Sequence, residues 1–188
     1  MARDLLHADE VRTIVRDAYA AVDAGTRAVA EKLYSAEELA LVPDSAIDRS
    51  LGVANHLRHA DIGPDDVVLD LGCGAGIDTI LAARRARRVI GLDVLPTMLE
   101  RMQAAAAEAG LANVETLEGD MEAIPLPDAS IDHVISNGVI NLSARKARAL
   151  AECARVLRPG GRLTVADLTV DDEELPPEIL THPATWAG

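Results

Sequence analysis

Apolar and polar positions follow two different periods along the chain, which predicts a mixture of helices and strands. Near the N-terminus, apolar residues recur at helical spacing over about 9–29, and this spacing predicts a helix with one solvated face. Ser35 is followed three positions later by Glu38. This is the pattern of a capping box, so a second short helix is expected to begin there.

From Val67 onwards, short apolar runs alternate with amphipathic stretches. Five runs predict strands, and they are VVLDL, RVIGLD, NVETLEGD, DHVISNG and RLTVADL. The stretches between them predict helices over 77–87, 96–109 and 144–157, the last of which is expected to end at Pro159–Gly161. Strands that alternate with helices form βαβ units, and parallel strands covered on both faces consist of continuous apolar runs. The pattern therefore predicts an α/β fold with a parallel sheet.

Composition narrows the class of protein. The chain has 188 residues, of which 49% are hydrophobic, and this favours one globular domain over a disordered chain. Its net charge of −13 disfavours nucleic acid as a partner, since nucleic-acid-binding proteins normally carry a basic surface. The basic cluster Arg84–Arg88 is interpreted as the solvated end of a helix.

Two sequence features bear on the cellular compartment. Cys73 and Cys153 lie far apart in a chain that has 2 cysteines, so no disulfide framework is expected and a reducing, cytoplasmic location is predicted. The N-terminal residues contain no apolar signal core, and no apolar run is long enough to cross a membrane. Neither secretion nor membrane insertion is therefore expected.

A glycine-rich loop carries the strongest chemical signal. The run VVLDLGCGAGIDTI places Asp70 at the end of a predicted strand, followed by Gly72, Gly74 and Gly76. Glycines let the backbone turn sharply and let a ligand lie against it. The spacing is G-x-G-x-G, whereas the third glycine of a dinucleotide fingerprint would fall at Ile77. This difference disfavours an oxidoreductase that uses a dinucleotide.

Four segments resemble, in order, the successive motifs of class I S-adenosylmethionine-dependent methyltransferases. They are VLDLGCGAG, VIGLD, EGDMEAIPLPDASIDHVIS and RVLRPGGRL. The resemblance implies a Rossmann-like parallel sheet of five strands with N-terminal helices, and S-adenosyl-L-methionine as the cofactor. It also implies an N-terminal helical segment (1–60), a cofactor-binding core (61–170) and an acidic, proline-containing tail (171–188).

The same resemblance assigns cofactor-binding roles to residues near the ends of four strands. These residues are Asp70, Gly72, Gly74, Gly76, Asp78, Asp93, Val94, Met98, Asp120, Met121, Ser136 and Asn137. Asp93 would hold the ribose hydroxyls, Asp120 would face the exocyclic amine of adenine, and the Ser136–Asn137 backbone would meet the methionine ammonium. Alternatively, Met98 and Met121 are core residues and Asp120 is a turn residue.

Within this class, the chain resembles the arsenite methyltransferases. The segments that carry this resemblance include LYSAEELALVP, SLGVAN, GIDTILAA, ISNGVINLSARKARAL and ELPPEI. Members of that family bind trivalent arsenic through three cysteines, and the resemblance places the first at Val53, the second at Gly138 and the third after a segment like the final WAG. Soft thiolates are the ligands that hold a soft element. Because neither Val53 nor Gly138 provides one, we expect a different small-molecule acceptor.

Two functions are consistent with the sequence. The first is a small-molecule methyltransferase, and the polar residues that could serve its acceptor site are His56, His59, Asp78, Asn137 and Asn141. The second is a methyltransferase-like subunit that binds the cofactor or another ligand without methyl transfer, either as a scaffold or as an enzyme redirected to another reaction. The sequence assigns no catalytic base and shows no zinc-ligand spacing.

The fifth predicted strand, RLTVADL, is expected to lie at an edge of the sheet. Class I methyltransferases continue their sheet with two further strands, and the segment 171–188 is too short to supply them. An exposed apolar edge strand tends to pair with another chain. A partner polypeptide or a second copy of the chain is therefore predicted to cover this edge. There are two alternatives: the N-terminal helices cover this edge, or the sequence was cut from a longer chain.

Overall fold

Four α-helices and a short 3-10 helix, His56–Arg58, precede the first strand in the part of the chain that the computed structural model describes, residues 8–21 and 27–169. The α-helices are named in chain order. They are α1 (Ala8–Ala21), α2 (Arg27–Leu33), α3 (Ala36–Leu39) and α4 (Asp44–Ile47). The helix predicted over 9–29 corresponds to α1 and the start of α2, and 22–26 lie outside the described residues. The predicted cap is confirmed, since the Glu38 amide donates to Ser35 Oγ at 3.2 Å and the Ser35 amide donates to Glu38 Oε2 at 2.8 Å.

Within the described residues, five parallel strands form one sheet in the order β3-β2-β1-β4-β5. The strands are β1 (Val67–Leu71), β2 (Arg88–Asp93), β3 (Val114–Glu118), β4 (Ile131–Asn137) and β5 (Leu157–Ala166). Three helices alternate with them, and these are α5 (Ile77–Ala83), α6 (Pro96–Glu108) and α7 (Lys146–Val156). The predicted α/β fold, a Rossmann-like sheet of five strands with N-terminal helices, is confirmed.

The sheet is packed on both faces, as parallel sheets require. Successive side chains of a strand point to opposite faces, so neighbouring residues of β1 belong to different clusters. On one face Val68 packs in a cluster with Ile47 of α4 and Ile80 of α5. On the other face Leu69 packs in a cluster with Val156 of α7. The N-terminal helices therefore share a core with the sheet.

The predicted end of α5 is wrong. The helix ends at Ala83 rather than at 87. The side chain of Asn113 donates to the carbonyl oxygens of Ala83 and Ala86, at 2.8 and 3.0 Å. Because a side chain satisfies carbonyls that a longer helix would use, the helix can stop early without leaving buried polar groups unpaired.

The predicted start of β5 is also wrong. Leu157 already pairs with Ile131, and after a register shift Arg162 pairs with His133. Pro159, which has no N–H to donate, is exposed in this edge strand, where proline is tolerated. The segment predicted as a tail, 171–188, lies outside the described residues. Among the helices of residues 8–21 and 27–169, none has the length and apolarity needed to cross a membrane.

Candidate functional site

A cavity of about 360 Å³ lies at the carboxyl edge of the sheet. The loops that follow β1, β2, β3 and β4 form its floor, and residues from α1 and from 49–52 line it as well. Strand order reverses between β1 and β4, with β2 and β3 on one side and β5 on the other. Open α/β sheets bind their ligands at such a reversal.

Nearly all of the predicted cofactor-binding residues meet in this cavity. Those that line it are Asp70, Gly72, Gly74, Gly76, Asp78, Asp93, Val94, Met98, Asp120, Met121 and Asn137. Ser136 does not line it: its side chain is fully buried, and its Oγ has no hydrogen-bond partner in the structure. The four loops thus assemble the predicted residues at one place.

Two glycines of the loop face different surroundings. Gly72 has φ +75°, and a Cβ at this position would lie 2.5 Å from the side chain of Val139, so no larger residue fits. Gly74 has φ +50°, and a Cβ there would meet no atom within 4 Å, so its open side faces space in which a ligand could lie.

Three carboxylates surround this loop and make the cavity attractive to a cation. Burial, together with the charges of Asp78 and Asp93, raises the pKa of Asp70 to about 8, although the Thr79 hydroxyl donates to its Oδ2 at 2.5 Å. Burial also raises the pKa of Asp93, against the effect of backbone donors that include Leu95. A positively charged ligand group would relieve the repulsion among these carboxyl groups.

Helix α1 is fixed over the cavity by an ion-pair network that the sequence did not reveal. Arg12 Nε lies 2.9 Å from Asp120 Oδ2, and Arg12 Nη2 lies 2.6 Å from Glu122 Oε2. Glu122 is 2% exposed and also accepts from Ser143 Oγ at 2.8 Å and from the Arg145 amide at 3.0 Å. Although burial acts to raise it, these donors hold the pKa of Glu122 below its ordinary value.

A second network joins the N-terminal region to Asp78. The Tyr34 hydroxyl donates to Asp78 Oδ1 at 2.7 Å, and the Asn137 side chain donates to Asp78 Oδ2 at 2.9 Å. No sequence pattern pointed to Tyr34 as a site residue. The composition offered one clue to this residue. The chain has 2 tyrosines and 0 phenylalanines, and both Tyr19 and Tyr34 line the cavity.

Val53 lies next to Gly138, which lines the cavity. Gly138 has φ +73°, and a Cβ there would lie 3.2 Å from Val53 Cγ1. His56 is buried and His59 is exposed, and neither lines the cavity. Asn141 does not line it either, since its amide groups bond to Asp167 and Leu168. Of the polar candidates for the acceptor site, the structure therefore brings only Asp78 and Asn137 to the cavity.

Neither cysteine offers a reactive thiol in this cavity. Cys73 and Cys153 are free and buried. Burial raises the pKa of both thiols, to about 11 for Cys153. Over residues 8–21 and 27–169, no group of three or more His, Cys, Asp or Glu side chains could hold a metal ion.

Comparison with known proteins identifies the family. The sequence profile described as "Methyltransferase domain" matches residues 62–187, which is more than half of the chain. The chain belongs to this methyltransferase family. The predicted resemblance to S-adenosylmethionine-dependent methyltransferases is thereby confirmed.

Individual relatives refine this result. The chain is 39% identical over 156 residues to an arsenite methyltransferase of Halobacterium salinarum. It is 37% identical, with a TM-score of 0.70, to a crystal structure of an arsenic(III) S-adenosylmethionine methyltransferase from Chlamydomonas reinhardtii. It is also 32% identical, with a TM-score of 0.54, to a chain in the complex between the Trm112 methyltransferase activator of Haloferax volcanii and a methyltransferase.

The matched regions cover much of this chain but less of its relatives. The Halobacterium match spans 79% of this chain and 40% of the relative. The Chlamydomonas match spans 79% and 53%, and the Haloferax match 60% and 49%. The chain thus spans about half, or less, of the length of these methyltransferases.

Proposed function

We propose that this protein is an S-adenosylmethionine-dependent methyltransferase that acts on a small molecule other than arsenite. The observation that carries the proposal is the assembly of predicted residues from four loops around one cavity. Family membership supports the cofactor, since relatives are named for their use of it. When bound, S-adenosylmethionine supplies a methyl group that is already activated by its sulfonium charge.

The proposed binding mode follows from the chemistry of the residues present. Asp93 would accept hydrogen bonds from the ribose hydroxyls beside the open face of Gly74. Asp78 would provide negative charge for the methionine ammonium, and the ammonium would in turn favour the ionised form of Asp70. The exposed face of Val94 together with the partly buried Met121 would pack on adenine. The protein's contribution to methyl transfer would be to align the acceptor and, through α1, to exclude water.

Two names for parts of the cavity follow from this proposal. The donor side comprises the glycine loop with Asp70 and Asp93. The acceptor side comprises Gly138, the overlying α1 and the segment 50–55, of which Ser50, Leu51 and Gly52 line the cavity. It also includes Asn137 and Glu122, which hold the segment and α1 in place. On the acceptor side, Val53 and Gly138 are the two adjacent positions at which the family resemblance places thiolates. Both lack sulfur, which supports an acceptor other than a thiophilic arsenical.

Calorimetric titration with S-adenosylhomocysteine tests the donor assignment. Asp93→Ala should weaken binding by roughly 1.5–3 kcal/mol per lost charge-assisted hydrogen bond. Asp65→Ala, which alters an exposed acid that does not line the cavity, is the matched control and should bind normally. Binding of NAD in place of S-adenosylhomocysteine, or an unchanged affinity in Asp93→Ala, would contradict the proposal.

A subunit that binds the cofactor without methyl transfer is the second candidate. Two observations favour it: neither His56 nor His59 lines the cavity, and Asp78 is already engaged by Tyr34 and Asn137. Release of S-adenosylhomocysteine from S-adenosylmethionine, measured over a panel of oxygen, nitrogen and sulfur nucleophiles, separates the two functions. Turnover with any of them excludes the second candidate, and tight binding without turnover supports it.

We propose in addition that another polypeptide or a second copy pairs with β5. Within the described residues β5 is an edge strand with Leu163 37% and Val165 40% exposed. Apolar edges of this kind tend to pair, and one similar structure is a complex with an activator protein. Light scattering of the pure protein should give a dimer that Val165→Lys dissociates, or a monomer whose partner is recovered by the native chain and not by Val165→Lys. A monomer without a companion would contradict the pairing.

A further inference from the structure

We propose that Asn137 is a positioning residue that couples occupancy of the donor side to the order of residues 50–55 on the acceptor side. This inference rests on the proposed function, because it takes S-adenosylmethionine or its product as the ligand beside Asp78. The family resemblance implied a role for the backbone of Asn137. The structure assigns a different one to its side chain.

The side-chain amide of Asn137 is bonded at both ends to two parts of the protein. Its Oδ1 accepts from the Val53 amide at 2.9 Å and from the Ala54 amide at 3.3 Å. Its Nδ2 donates to the Ala54 carbonyl at 2.8 Å and to Asp78 Oδ2 at 2.9 Å. Two donated and two accepted bonds use all that an asparagine side chain can offer, and the Tyr34 hydroxyl also lies 3.4 Å from the same Nδ2.

This pattern allows only one orientation of the amide. If the amide were flipped, Nδ2 would face the two N–H donors of Val53 and Ala54, and Oδ1 would face a carbonyl oxygen and a carboxylate. Amide orientation is assigned from such networks, and here every contact agrees. Aspartate has the same shape, but it cannot donate to Asp78 or to the Ala54 carbonyl.

Close approach of the backbone strengthens the link from the other side. A Cβ on Gly52 would lie 2.7 Å from Asn137 Nδ2, so glycine at this position lets the segment reach the amide. The segment then continues to Val53, whose Cγ1 would lie 3.2 Å from a Cβ at position 138. One side chain at the end of β4 thus holds the segment whose residues 50–52 line the acceptor side.

Asp78 connects this arrangement to the donor. It lines the cavity, and its two oxygens are held by Tyr34 and Asn137. A ligand ammonium beside Asp78 would hold the carboxylate in the orientation in which Oδ2 faces Asn137. The amide in turn fixes Val53 and Ala54. Coupling of this kind is reciprocal, so the ordered arrangement of residues 50–55 must also raise the affinity of the donor side for its ligand.

Hydrogen–deuterium exchange of residues 50–55, with and without saturating S-adenosylhomocysteine, tests the coupling. In the native protein the ligand should slow exchange of the Val53 and Ala54 amides by about tenfold, a typical size for coupling between two sites. Asn137→Ala and Asn137→Asp should abolish this slowing and weaken ligand binding by a similar factor. Gly52→Ala, which disturbs the same contact from the segment, should reduce both effects and serves if the Asn137 variants do not fold.

Asn55→Ala is the matched control. The Asn55 side chain donates to Glu38 at 2.9 and 3.0 Å, so it anchors the same segment without touching Asp78. This variant should exchange faster in the free state, yet the ligand should still slow it. The coupling is overturned if Asn137→Ala retains the ligand-induced slowing or if Asn55→Ala loses it.

The outcomes also separate this inference from the proposed function. If S-adenosylhomocysteine does not bind the native protein, the proposed function fails. If it binds and protects the glycine loop while exchange in 50–55 is unchanged, the coupling fails and the proposed function stands.

Discussion

The donor side and the acceptor side of the cavity differ in how their polar groups are satisfied. On the donor side, buried carboxyl groups face one another around Asp70, and the loop opens to space at Gly74. On the acceptor side, Asn137 and Glu122 spend their hydrogen bonds on other parts of the protein. One side is prepared to gain from a charged ligand, whereas the other is built to hold distant segments together. Four substitutions test whether this division is real, and they follow in order of expected effect.

Asp70→Asn should have the largest effect, through the pH dependence of stability. The pKa of Asp70 is raised from an ordinary value of 3.8 to about 8 by burial and by neighbouring carboxylates. The unfolded chain therefore loses this proton near pH 4 and the folded chain near pH 8, so the free energy of unfolding falls as the pH rises between these values. The variant should remove several kcal/mol of that fall, measured by urea unfolding at pH 5 and pH 8. An unchanged pH dependence would show that Asp70 is not strained in the native state.

Glu122→Ala should destabilise the acceptor side by about 3 kcal/mol, because it leaves buried donors without their partner. Urea unfolding measures this loss. Glu115→Ala is the control, since Glu115 pairs with Arg88 in an exposed ion pair and should cost less than about 1 kcal/mol. S-adenosylhomocysteine should still bind folded Glu122→Ala more tightly than it binds Asp93→Ala. A larger loss of affinity than of stability would place Glu122 on the donor side.

Tyr34→Phe acts at the boundary between the two sides. It removes the charge-assisted hydrogen bond to Asp78 and should cost about 1.5–3 kcal/mol of stability. Tyr19→Phe is a matched control, because Tyr19 lines the same cavity while Tyr34 is the tyrosine that donates to Asp78. Thermal unfolding of both variants should separate them clearly, and equal losses would contradict a specific role for the Tyr34 hydroxyl.

Gly138→Ala should have the smallest effect. Its φ of +73° disfavours a side chain, and the added Cβ would press on Val53, so we expect a loss of about 1 kcal/mol in stability. Affinity for S-adenosylhomocysteine, measured by calorimetry, should change by less than about 1 kcal/mol. A loss as large as that of Asp93→Ala would show that position 138 belongs to the donor side.

The donor side could be predicted from sequence because its parts are local. Asp70 and the glycines lie in one short segment, and Asp93 ends the next strand. The networks of the acceptor side could not be predicted, because they join residues far apart in the chain. Arg12 and Glu122 are separated by 110 positions. No local pattern reports such a contact.

Errors in the secondary-structure predictions have the same origin. The early end of α5 depends on Asn113, which follows α6 and reaches back to the carbonyls of Ala83 and Ala86. The early start of β5 depends on pairing of Leu157 with Ile131. In both regions, tertiary contacts override the element boundaries that the local sequence predicts.

The position of the cavity between β1 and β4 also has a consequence for the order of folding. β1 pairs with β2 across a single helix, but it pairs with β4 only after β3 and α6 have been traversed. Contacts between segments so distant in sequence form slowly. A ligand that needs both neighbours of β1 cannot assist the early pairing of β1, β2 and β3. It would act afterwards, by lengthening the lifetime of the folded chain.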